Sequence, residues 1–490
     1  MKLQDLINSD DPKVITAELR SKRHIDEPDV ESTLKALDPL QHEVFDKALR
    51  PDKMVRVDSA TNDDERRVMK SKDDAPRMKP EPVARIGLDL PNVIVKRAAS
   101  MIFGNPVEVL ANPEGDAEEM VLMALNAIRH DIKERSLNRR IARHMFSCTE
   151  VAEVWYPVPI DRKRPNVVSH KFGIDTKFKL RCLMLSPLLG DKLYPYFDET
   201  GDMVAFSREY ERTDEKGATR QFFETWTDEE HILFVQDGGS MAMAEGFPKE
   251  NVIGKIPVVF GHEEEPEFAK VMILINRLEK LLSNFADTND YHAAPKIFIQ
   301  GEIKGFAKKG ESGAIIEGTE GSSAQYLSWA NAPESVKLEI ETLLRMIYTL
   351  TQTPDISFDS VKGLNLSGVA LKLLFMDAHL KVMDHMEVFD EYLQRRFNIV
   401  KAFIGKFDTK LESAADSLDV EPEVTPFMIT DDATEINTLL NATGGKPIMS
   451  QKTAIRKAGI VSDVDAEVEQ ITAETDRSNA FFLQEPTNAE

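Results

Sequence analysis

The stretch Leu364–Phe375, LNLSGVALKLLF, joins a loop rich in Asp, Ser, Lys, Gly and Asn to a long helical pattern. Ser367 is a suitable N-cap, and from there to Phe407 apolar residues recur at steps of three and four. At about 1.5 Å per residue, this helix would be about 60 Å long. One compact domain cannot enclose such a helix, so the pattern predicts a coiled coil or a spoke of a larger assembly. The predicted apolar face consists of Val369, Leu373, Met376, Leu380, Met383, Met386, Phe389, Leu393, Phe397, Val400 and Ile404.

Two shorter helical patterns precede this loop. Residues 266–293 and 334–351 both place apolar side chains at steps of three and four, which is typical of amphipathic helices. Residues 296–332, which lie between them, are rich in Gly and Ser and include the short β-type run KIFIQG. This order predicts two helices that flank a small module of strands and turns.

The N-terminal half of the chain combines helices with a sheet. Residues 89–106 predict a helix with Pro91 in its first turn and with Gly104 in the left-handed conformation after its last turn. A second helical segment is expected over 116–146. From 151 to 261, short β-rich runs alternate with turns such as DETGD, which predicts a mainly antiparallel sheet.

The two ends of the chain are less regular. Residues 38–49, DPLQHEVFDKAL, can form a helix, whereas the charged residues 56–82 are expected to form an exposed loop or arm. Helix-start signals and glycines within 425–478 predict a small helical domain. Residues 479–490 are expected to be disordered.

The composition is that of a folded, acidic protein. The net charge of −23 disfavours a protein that coats itself in nucleic acid, because that requires clustered cations. Cys148 and Cys182 are expected to be reduced, packed thiols. The N-terminal sequence MKLQDLINSDDPKV lacks the apolar segment of a signal peptide, and no run approaches the roughly 18 apolar residues of a membrane span. We therefore expect a soluble, cytoplasmic chain.

Catalytic and metal-binding motifs are missing or incomplete. The sequence nearest to a phosphate-binding loop, LNATGGKP, has Leu440 in place of the first Gly and Pro447 in place of the hydroxyl residue. The run Asp287–His292, DTNDYH, lacks the Gly and the distal Glu of a calcium loop. His379 and His385 are six residues apart, so they do not form the four-residue spacing of a helical metal site. The sequence predicts no enzyme, no cofactor and no metal.

Four segments, taken in order, resemble the portal proteins of tailed bacteriophages. LDLPNVIVKRAASMIFGNPV (88–107) resembles an N-terminal portal block, and GKIPVVFGHEEEPEF (254–268) resembles the strand that leads into the first stem helix. LEKLLSNFADTNDYHAAPKIFIQG (278–301) resembles the passage from stem to clip. PDISFDSVKGLNLSGVALKLLF (354–375) resembles the internal loop with the start of the long helix. The resemblance covers about 88–410, and the N-terminal 80 residues and the tail past 425 match in general character only.

The resemblance implies an α+β portal fold assembled as a ring. Such a subunit has a wing of helices and strands, a two-helix stem, a small α/β clip, a long wing-spanning helix and a helical C-terminal crown. The implied ranges are 1–265 for the N-terminal wing, with helices in 89–146 and strands in 151–261, then 266–295 for the first stem helix, 296–333 for the clip, 334–353 for the second stem helix, 354–366 for the tunnel loop, 367–410 for the long helix and 411–478 for the crown.

The resemblance also implies a function and partners. Copies of the chain, usually twelve, would form a ring at one capsid vertex of a virion and would assemble in the host cytoplasm. Double-stranded DNA would pass through the ring during packaging and ejection. The terminase large subunit, a head-completion adaptor protein and the major capsid or scaffold protein would bind it, and no membrane is involved. An acidic ring suits this role because it repels a polyanion instead of holding it.

Two sets of site residues follow from the resemblance. The tunnel loop, which would project toward DNA, comprises Asp355, Ser357, Phe358, Asp359, Ser360, Val361, Lys362, Gly363, Leu364 and Asn365. The part of the clip that would face terminase and the adaptor comprises Lys304, Lys308, Lys309 and Glu311. The alternative for these lysines is an ordinary solvated surface position.

Two other classes of protein remain as alternatives. Another head–tail adaptor or a long-helix scaffold protein would share the helices, but would not need a loop between two helical stretches with a clip-like module upstream. A hydrolase or nucleotide-dependent enzyme would need to bind a ligand as a monomer, and the failed phosphate loop counts against it.

Overall fold

The structure is a computed structural model of the chain. It describes residues 2–56, 78–213, 217–237, 239–293, 296–300, 303–305, 317–318, 321, 323–327, 333–354, 375–427, 432–444, 447–461 and 464–482. The helices in these ranges are α1 (Leu3–Leu6), α2 (Pro12–Ser21), α3 (Val30–Leu37), α4 (Leu90–Phe103), α5 (Asp116–Asp131), α6 (Glu134–Cys148), α7 (Met272–Ala293), α8 (Pro333–Leu350), α9 (Met376–Phe407), α10 (Glu412–Ser417), α11 (Asp432–Thr443), α12 (Gln451–Ala458) and α13 (Val464–Phe482).

The strands lie mostly between α6 and α8. In chain order they are β1 (Lys53–Arg56), β2 (Met78–Glu81), β3 (Glu108–Ala111), β4 (Glu150–Pro159), β5 (Ser169–Lys171), β6 (Ile174–Thr176), β7 (Phe178–Leu185), β8 (Lys192–Phe197), β9 (Met203–Thr213), β10 (Thr219–Trp226), β11 (Glu230–Asp237), β12 (Ser240–Met243), β13 (Lys249–Glu250), β14 (Val258–His262), β15 (Lys296–Gln300), β16 (Ile303–Gly305), β17 (Glu317–Gly318), β18 (Ser323–Leu327) and β19 (Val420–Glu423).

These elements divide into two compact units. One unit comprises Met1–Asp355 with Ala378–Pro426, and the other comprises Ile356–Asp377 with Phe427–Glu490. The first unit holds the sheets together with α1 to α8 and most of α9, which confirms the mixed helix and sheet composition. The second unit is helical in its described residues, with α12 capped by the Ser450 hydroxyl and ended by Gly459 at a φ of +64°.

Two antiparallel sheets form the β-rich part of the first unit. The larger one has the order β12–β11–β10–β9–β8, with β13 paired to β11, and the smaller one has the order β14–β4–β7. Apolar side chains from both sheets, including Val154, Phe206, Trp226 and Val258, form a common core. The register is antiparallel in every pair of these two sheets, so the prediction for 151–261 is confirmed.

The main core lies where the helices meet the smaller sheet. Buried residues of α4, α5, α6, α7 and α9 pack there with β4 and β7. The ring of Phe389 contacts Phe103 and Phe146 edge to face, with centroid distances of 4.9 and 6.0 Å. The strand β19, which follows α10, pairs with β3 and so ties the chain beyond the long helix to the N-terminal helices.

The helical predictions for the N-terminal half are wrong in three places. The expected helix over 116–146 is two helices, because Lys133 takes a φ of 58° and reverses the chain so that both helices face one core. Gly104 has a φ of −67° instead of the left-handed conformation. Its helix ends because Pro106 follows. Residues 38–49 form two 3₁₀ turns, Pro39–Gln41 and Glu43–Phe45, instead of a helix.

The long helix confirms the prediction from 376 to 407, and its predicted start at Ser367 lies outside the described residues. The apolar face is correct in the C-terminal half, where Phe389, Leu393, Phe397, Val400 and Ile404 are buried. In the N-terminal half it is wrong. Met376, Leu380 and Met383 are 48 to 66% exposed, and the polar side chains of Lys381 and His385 are buried instead.

Two expectations for irregular segments also need correction. Of the charged range 56–82, Arg56 and residues 78–81 belong to the paired strands β1 and β2, and residues 57–77 lie outside the described part. The expected disorder of 479–490 is wrong at its start, because α13 continues to Phe482. Cys148 and Cys182 are free thiols, as expected.

Candidate functional site

The two helices α7 and α8 correspond to the predicted stem pair. Ile275 and Leu278 of α7 and Leu343 and Ile347 of α8 are buried in the main core, which is where the apolar spacing places them. On the exposed side of the pair, Arg277 Nη2 lies 2.6 Å from Glu339 Oε1. An exposed pair of this kind contributes little to stability, so apolar packing is what holds the two helices together.

Beyond α7, the chain continues into the predicted clip. Strand β15 pairs with β18 in antiparallel register from Lys296↔Leu327 to Gln300↔Ser323. The chain thus leaves α7 through β15 and returns to α8 from β18. Lys304 lies in β16, which pairs with β17. The other predicted clip residues, Lys308, Lys309 and Glu311, lie outside the described residues.

An extended segment, residues 84–88, runs along one face of α7 and is called the strap below. Three alternate backbone N–H groups of the strap donate hydrogen bonds to side chains of α7 that are four residues apart. The bonds run from Leu88 N to Glu279 Oε1 (2.7 Å), from Ile86 N to Ser283 Oγ (2.9 Å) and from Ala84 N to Asp287 Oδ1 (2.9 Å). Two extended residues advance about 6.6 Å and four helical residues about 6.0 Å, so the two repeats match.

Charged side chains hold the same face of α7. His42 Nδ1 lies 2.6 Å from Glu279 Oε1, and both side chains are fully buried. Burial alone would lower the pKa of His42, but the hydrogen bond and charge of Glu279 outweigh it and raise that pKa. Arg50 donates to Asn284 Oδ1 (2.7 Å) and to Asp287 Oδ2 (2.8 Å). Asp287, which the sequence placed in an incomplete metal loop, therefore anchors the N-terminal segment.

The four residues after α8 form the base of the predicted tunnel loop. Gln352 has a φ of +48°, which is unusual for a residue other than glycine. Lys381 Nζ of the long helix donates to the Thr351 carbonyl (2.9 Å). Arg97 Nη1 of α4 donates to the Pro354 carbonyl (2.9 Å), and its guanidinium lies 5.3 Å from the centre of the Tyr348 ring. Two elements thus fix the chain at the start of the predicted loop, α4 at Pro354 and the long helix at Thr351.

A buried charge cluster, here called the junction cluster, lies beside this base. It comprises Glu263, Glu267, Lys381 and His385. Lys381 Nζ forms an ion pair with Glu267, and the two ring nitrogens of His385 lie 2.9 Å from Glu263 Oε1 and 2.8 Å from Glu267 Oε1. Two carboxylates thus face two cations in the interior.

The protonation states follow from this geometry. Burial alone would lower the pKa of His385, but the two carboxylates outweigh it and raise that pKa to about 9. Burial would raise the pKa of Glu267, but His385 and Lys381 outweigh it and lower that pKa. At neutral pH His385 is therefore a cation, and the junction cluster is electrically balanced.

The predicted tunnel-loop residues, from Asp355 to Asn365, all lie outside the described residues. The junction cluster was not predicted from the sequence, where His385 was a candidate only for a metal site. No group of metal-binding side chains occurs in the described part of the chain. The available signal was the four-residue spacing of Lys381 and His385, since two cations on one helical face call for acids opposite them.

No described helix has the length and apolar character that a membrane crossing requires. The side chains around α7, α8 and the junction cluster hold backbone segments in place.

Comparison with known proteins gives one family match. A family model described as "Phage portal protein, SPP1 Gp6-like" matches residues 61–480. No curated protein sequence matches the chain significantly. Similar solved chains occur in "Neck of empty GTA particle computed with C6 symmetry", with 10% identity, a TM-score of 0.40 and coverage of 76% of this chain and 89% of that one. They also occur in "Virion of native gene transfer agent (GTA) particle", with 11% identity, a TM-score of 0.38 and coverage of 76% and 88%.

Proposed function

Since the chain belongs to the SPP1 Gp6-like phage portal protein family, we propose that its copies assemble into a ring at one vertex of a capsid. Genomic double-stranded DNA passes through the ring during packaging and again during ejection. The observation that carries the proposal is the extent of the family match. It spans both stem helices, the clip, the predicted loop and the long helix.

Each predicted segment takes a role in this ring. The stem helices α7 and α8 line the passage, and the loop 354–366 projects into it toward DNA. The clip, with Lys304, Lys308, Lys309 and Glu311, faces the terminase large subunit during packaging and the head-completion adaptor afterwards. Residues 411–478 form the crown. The ring is held in the shell of the virion by the major capsid or scaffold protein, and it has no catalytic role of its own.

Charge and anchoring support this proposal. A net charge of −23 on each subunit, multiplied around a ring, repels a passing polyanion and so avoids the friction of phosphate–cation contacts. A loop that meets moving DNA needs a fixed base. The bonds from Arg97 to Pro354 and from Lys381 to Thr351 provide one.

Electron microscopy of the purified protein tests the proposal. Top-view class averages at modest and at high protein concentration should show rings with a central hole and about twelve- or thirteen-fold symmetry. The same samples should sediment as one large species. A chain that stays monomeric or dimeric at every concentration, also in the presence of scaffold protein, would contradict the ring and favour an adaptor or an enzyme.

A further inference from the structure

Helix α6 has an exposed basic face that is unusual in so acidic a chain. Arg135, Arg139 and Arg143 are four residues apart and lie on one side of the helix, with Arg140 beside them, and all four are exposed. Arg135 donates to the Gly104 carbonyl (2.7 Å). Within the described residues, Arg139, Arg140 and Arg143 make no hydrogen bond and no ion pair. Like charges this close destabilise a helix unless a partner neutralises them.

The positive charge of these arginines affects the pKa of a neighbouring histidine. His144, in the same turn of α6, has a lowered pKa, first because it is buried and then because Arg143 and Arg140 lie close to it. In the described part of the chain, which belongs to a protein with 84 acidic residues, no carboxylate forms an ion pair with Arg139, Arg140 or Arg143.

A second surface of the same unit has the opposite character. A groove of about 900 Å³ lies between the segment around α3 and the chain that leads into α7. Asp26, Glu27, Glu43 and Glu264 line it with exposed side chains, and none of these carboxylates forms an ion pair in the described part of the chain. Its one lysine, Lys35, is engaged by Glu31 at 2.7 Å. The groove, as described, therefore lacks a neutralising partner.

We propose that the basic face of α6 in one subunit docks into the acidic groove of the next subunit. The inference rests on the ring proposed above. A ring uses head-to-tail contacts, in which two different surfaces of one chain meet, and these two surfaces have opposite charge. Arginine suits such a contact because its guanidinium forms two parallel bonds to a carboxylate.

Nucleic acid is the other class of partner for exposed arginines. It would account for Arg139, Arg140 and Arg143 but would leave the acidic groove without a partner. The pairing of subunits accounts for both surfaces at once, and it neutralises charges that would otherwise repel across the crowded interfaces of an acidic ring. Assembly driven by such pairs is weakened by salt.

Charge reversal tests the proposal in the full-length protein. The first variant is Arg139→Glu with Arg143→Glu, the second is Glu27→Lys with Glu264→Lys, and the third combines all four changes. The control is Arg162→Glu with Lys163→Glu, which makes the same charge change at two exposed residues in the turn after β4. Analytical ultracentrifugation and electron microscopy measure the fraction of rings. Circular dichroism confirms that each variant is folded.

We expect each reversed pair to raise the protein concentration needed for half-assembly by about tenfold or more, since like charges then face each other. The control should assemble as the parent does, and the fourfold variant should regain rings because every interface is again complementary. Raising the salt concentration should weaken the parent more than either reversed pair.

Other outcomes separate the two proposals. If the parent forms no rings, the proposed function fails and this inference fails with it. If the parent and both reversed pairs form rings equally well, or if the fourfold variant does not recover, the inference is overturned while the portal role stands. Retained rings with lost binding to a 200-base-pair DNA in a mobility-shift assay, for the arginine variant alone, would assign the basic face to nucleic acid.

Discussion

At the scale of single residues, several charged side chains are buried in the interior of this protein as ion pairs. Arg396 is the clearest case, because it is about 1% exposed and forms two bonds to Glu153, from Nε to Oε1 (2.7 Å) and from Nη2 to Oε2 (2.9 Å). Its Nη1 donates to Asn138 Oδ1, and Trp155 Nε1 donates to Glu153 Oε1 (3.0 Å). These bonds fix the long helix against β4 and α6.

Removing Arg396 should destabilise the protein strongly. The Arg396→Met variant leaves Glu153 buried without its partner, and we expect the free energy of unfolding to fall by about 3–5 kcal/mol. Chemical denaturation monitored by circular dichroism measures this change. The double variant Glu153→Gln with Arg396→Met should recover part of the loss, because a neutral amide costs less to bury. A double variant that is less stable than the single one would contradict the explanation.

His385 makes stability depend on pH. Its pKa rises from 6.5 in the unfolded chain to about 9 in the folded one, so its contribution is complete below pH 6.5 and is lost as the pH rises through 9. The parent should therefore be more stable than His385→Gln by on the order of 3 kcal/mol near pH 6, and by much less near pH 9.5.

Urea unfolding of both proteins across this pH range measures the difference. His24→Gln, which replaces an exposed histidine, is the control for the loss of an imidazole at the surface. A constant difference between the parent and His385→Gln would show that the junction cluster does not hold a charged imidazole.

At the scale of elements, the sequence predicted helices and strands where apolar spacing was regular. The helices α7 and α8, the C-terminal half of the long helix and the antiparallel sheet were all predicted from such spacing. It failed where a polar contact decides the conformation. Residues 38–49 form 3₁₀ turns that bring His42 to Glu279, a residue 237 positions later, and no local pattern records such a partner.

The predicted buried face of the N-terminal half of the long helix was wrong for the same reason. Leu380 and Met383 looked like core positions because they are apolar, yet the buried positions hold Lys381 and His385. Lys381 and His385 can be buried there because Glu267 and Glu263 form ion pairs with them. Hydrophobic periodicity cannot predict a face whose burial depends on ion pairs.

Deleting 357–364 tests the proposed role of the loop. The deletion begins beyond Pro354, so the anchors from Arg97 and Lys381 remain, and we expect rings to form as in the parent. DNA packaging or retention should be lost. Packaged DNA length, measured by gel electrophoresis after nuclease treatment, is the readout. Replacing the same eight residues by Gly and Ser keeps the length of the loop and shows whether its chemistry matters. Normal packaging by the deletion variant would exclude this loop from DNA handling.

At the scale of the whole molecule, the first unit ends at Pro426, beyond the strand that pairs with the N-terminal half of the chain. Strand β19 pairs with β3, and Leu411, Ala415, Leu418 and Val420 are buried in the main core. A chain that ends at Pro426 keeps these contacts, so its first unit should unfold within about 1 kcal/mol of the parent. A chain that ends at Phe407 loses them and should be several kcal/mol less stable.

Thermal unfolding of both truncated chains checks this prediction. A large loss of stability in the longer one would show that the C-terminal helices support the first unit.

The family match could be anticipated because four sequence segments, taken in order, resemble the portal proteins of tailed bacteriophages. The hydrogen bonds that fix the base of the loop could not be anticipated from the sequence, because Arg97, Pro354 and Lys381 are far apart in the chain and carry no local signature.

The strap on α7 restricts which insertions and deletions this part of the chain can accept. The spacing between contacts is about 0.6 Å longer along the strap than along the helix. The difference adds up to about 1.2 Å over three contacts, and after a few more contacts it would be too large for a hydrogen bond to form. The strap is therefore short by necessity. Because only alternate N–H groups face α7, an insertion or deletion of one residue between Ala84 and Leu88 reverses the pattern, whereas a change of two restores it.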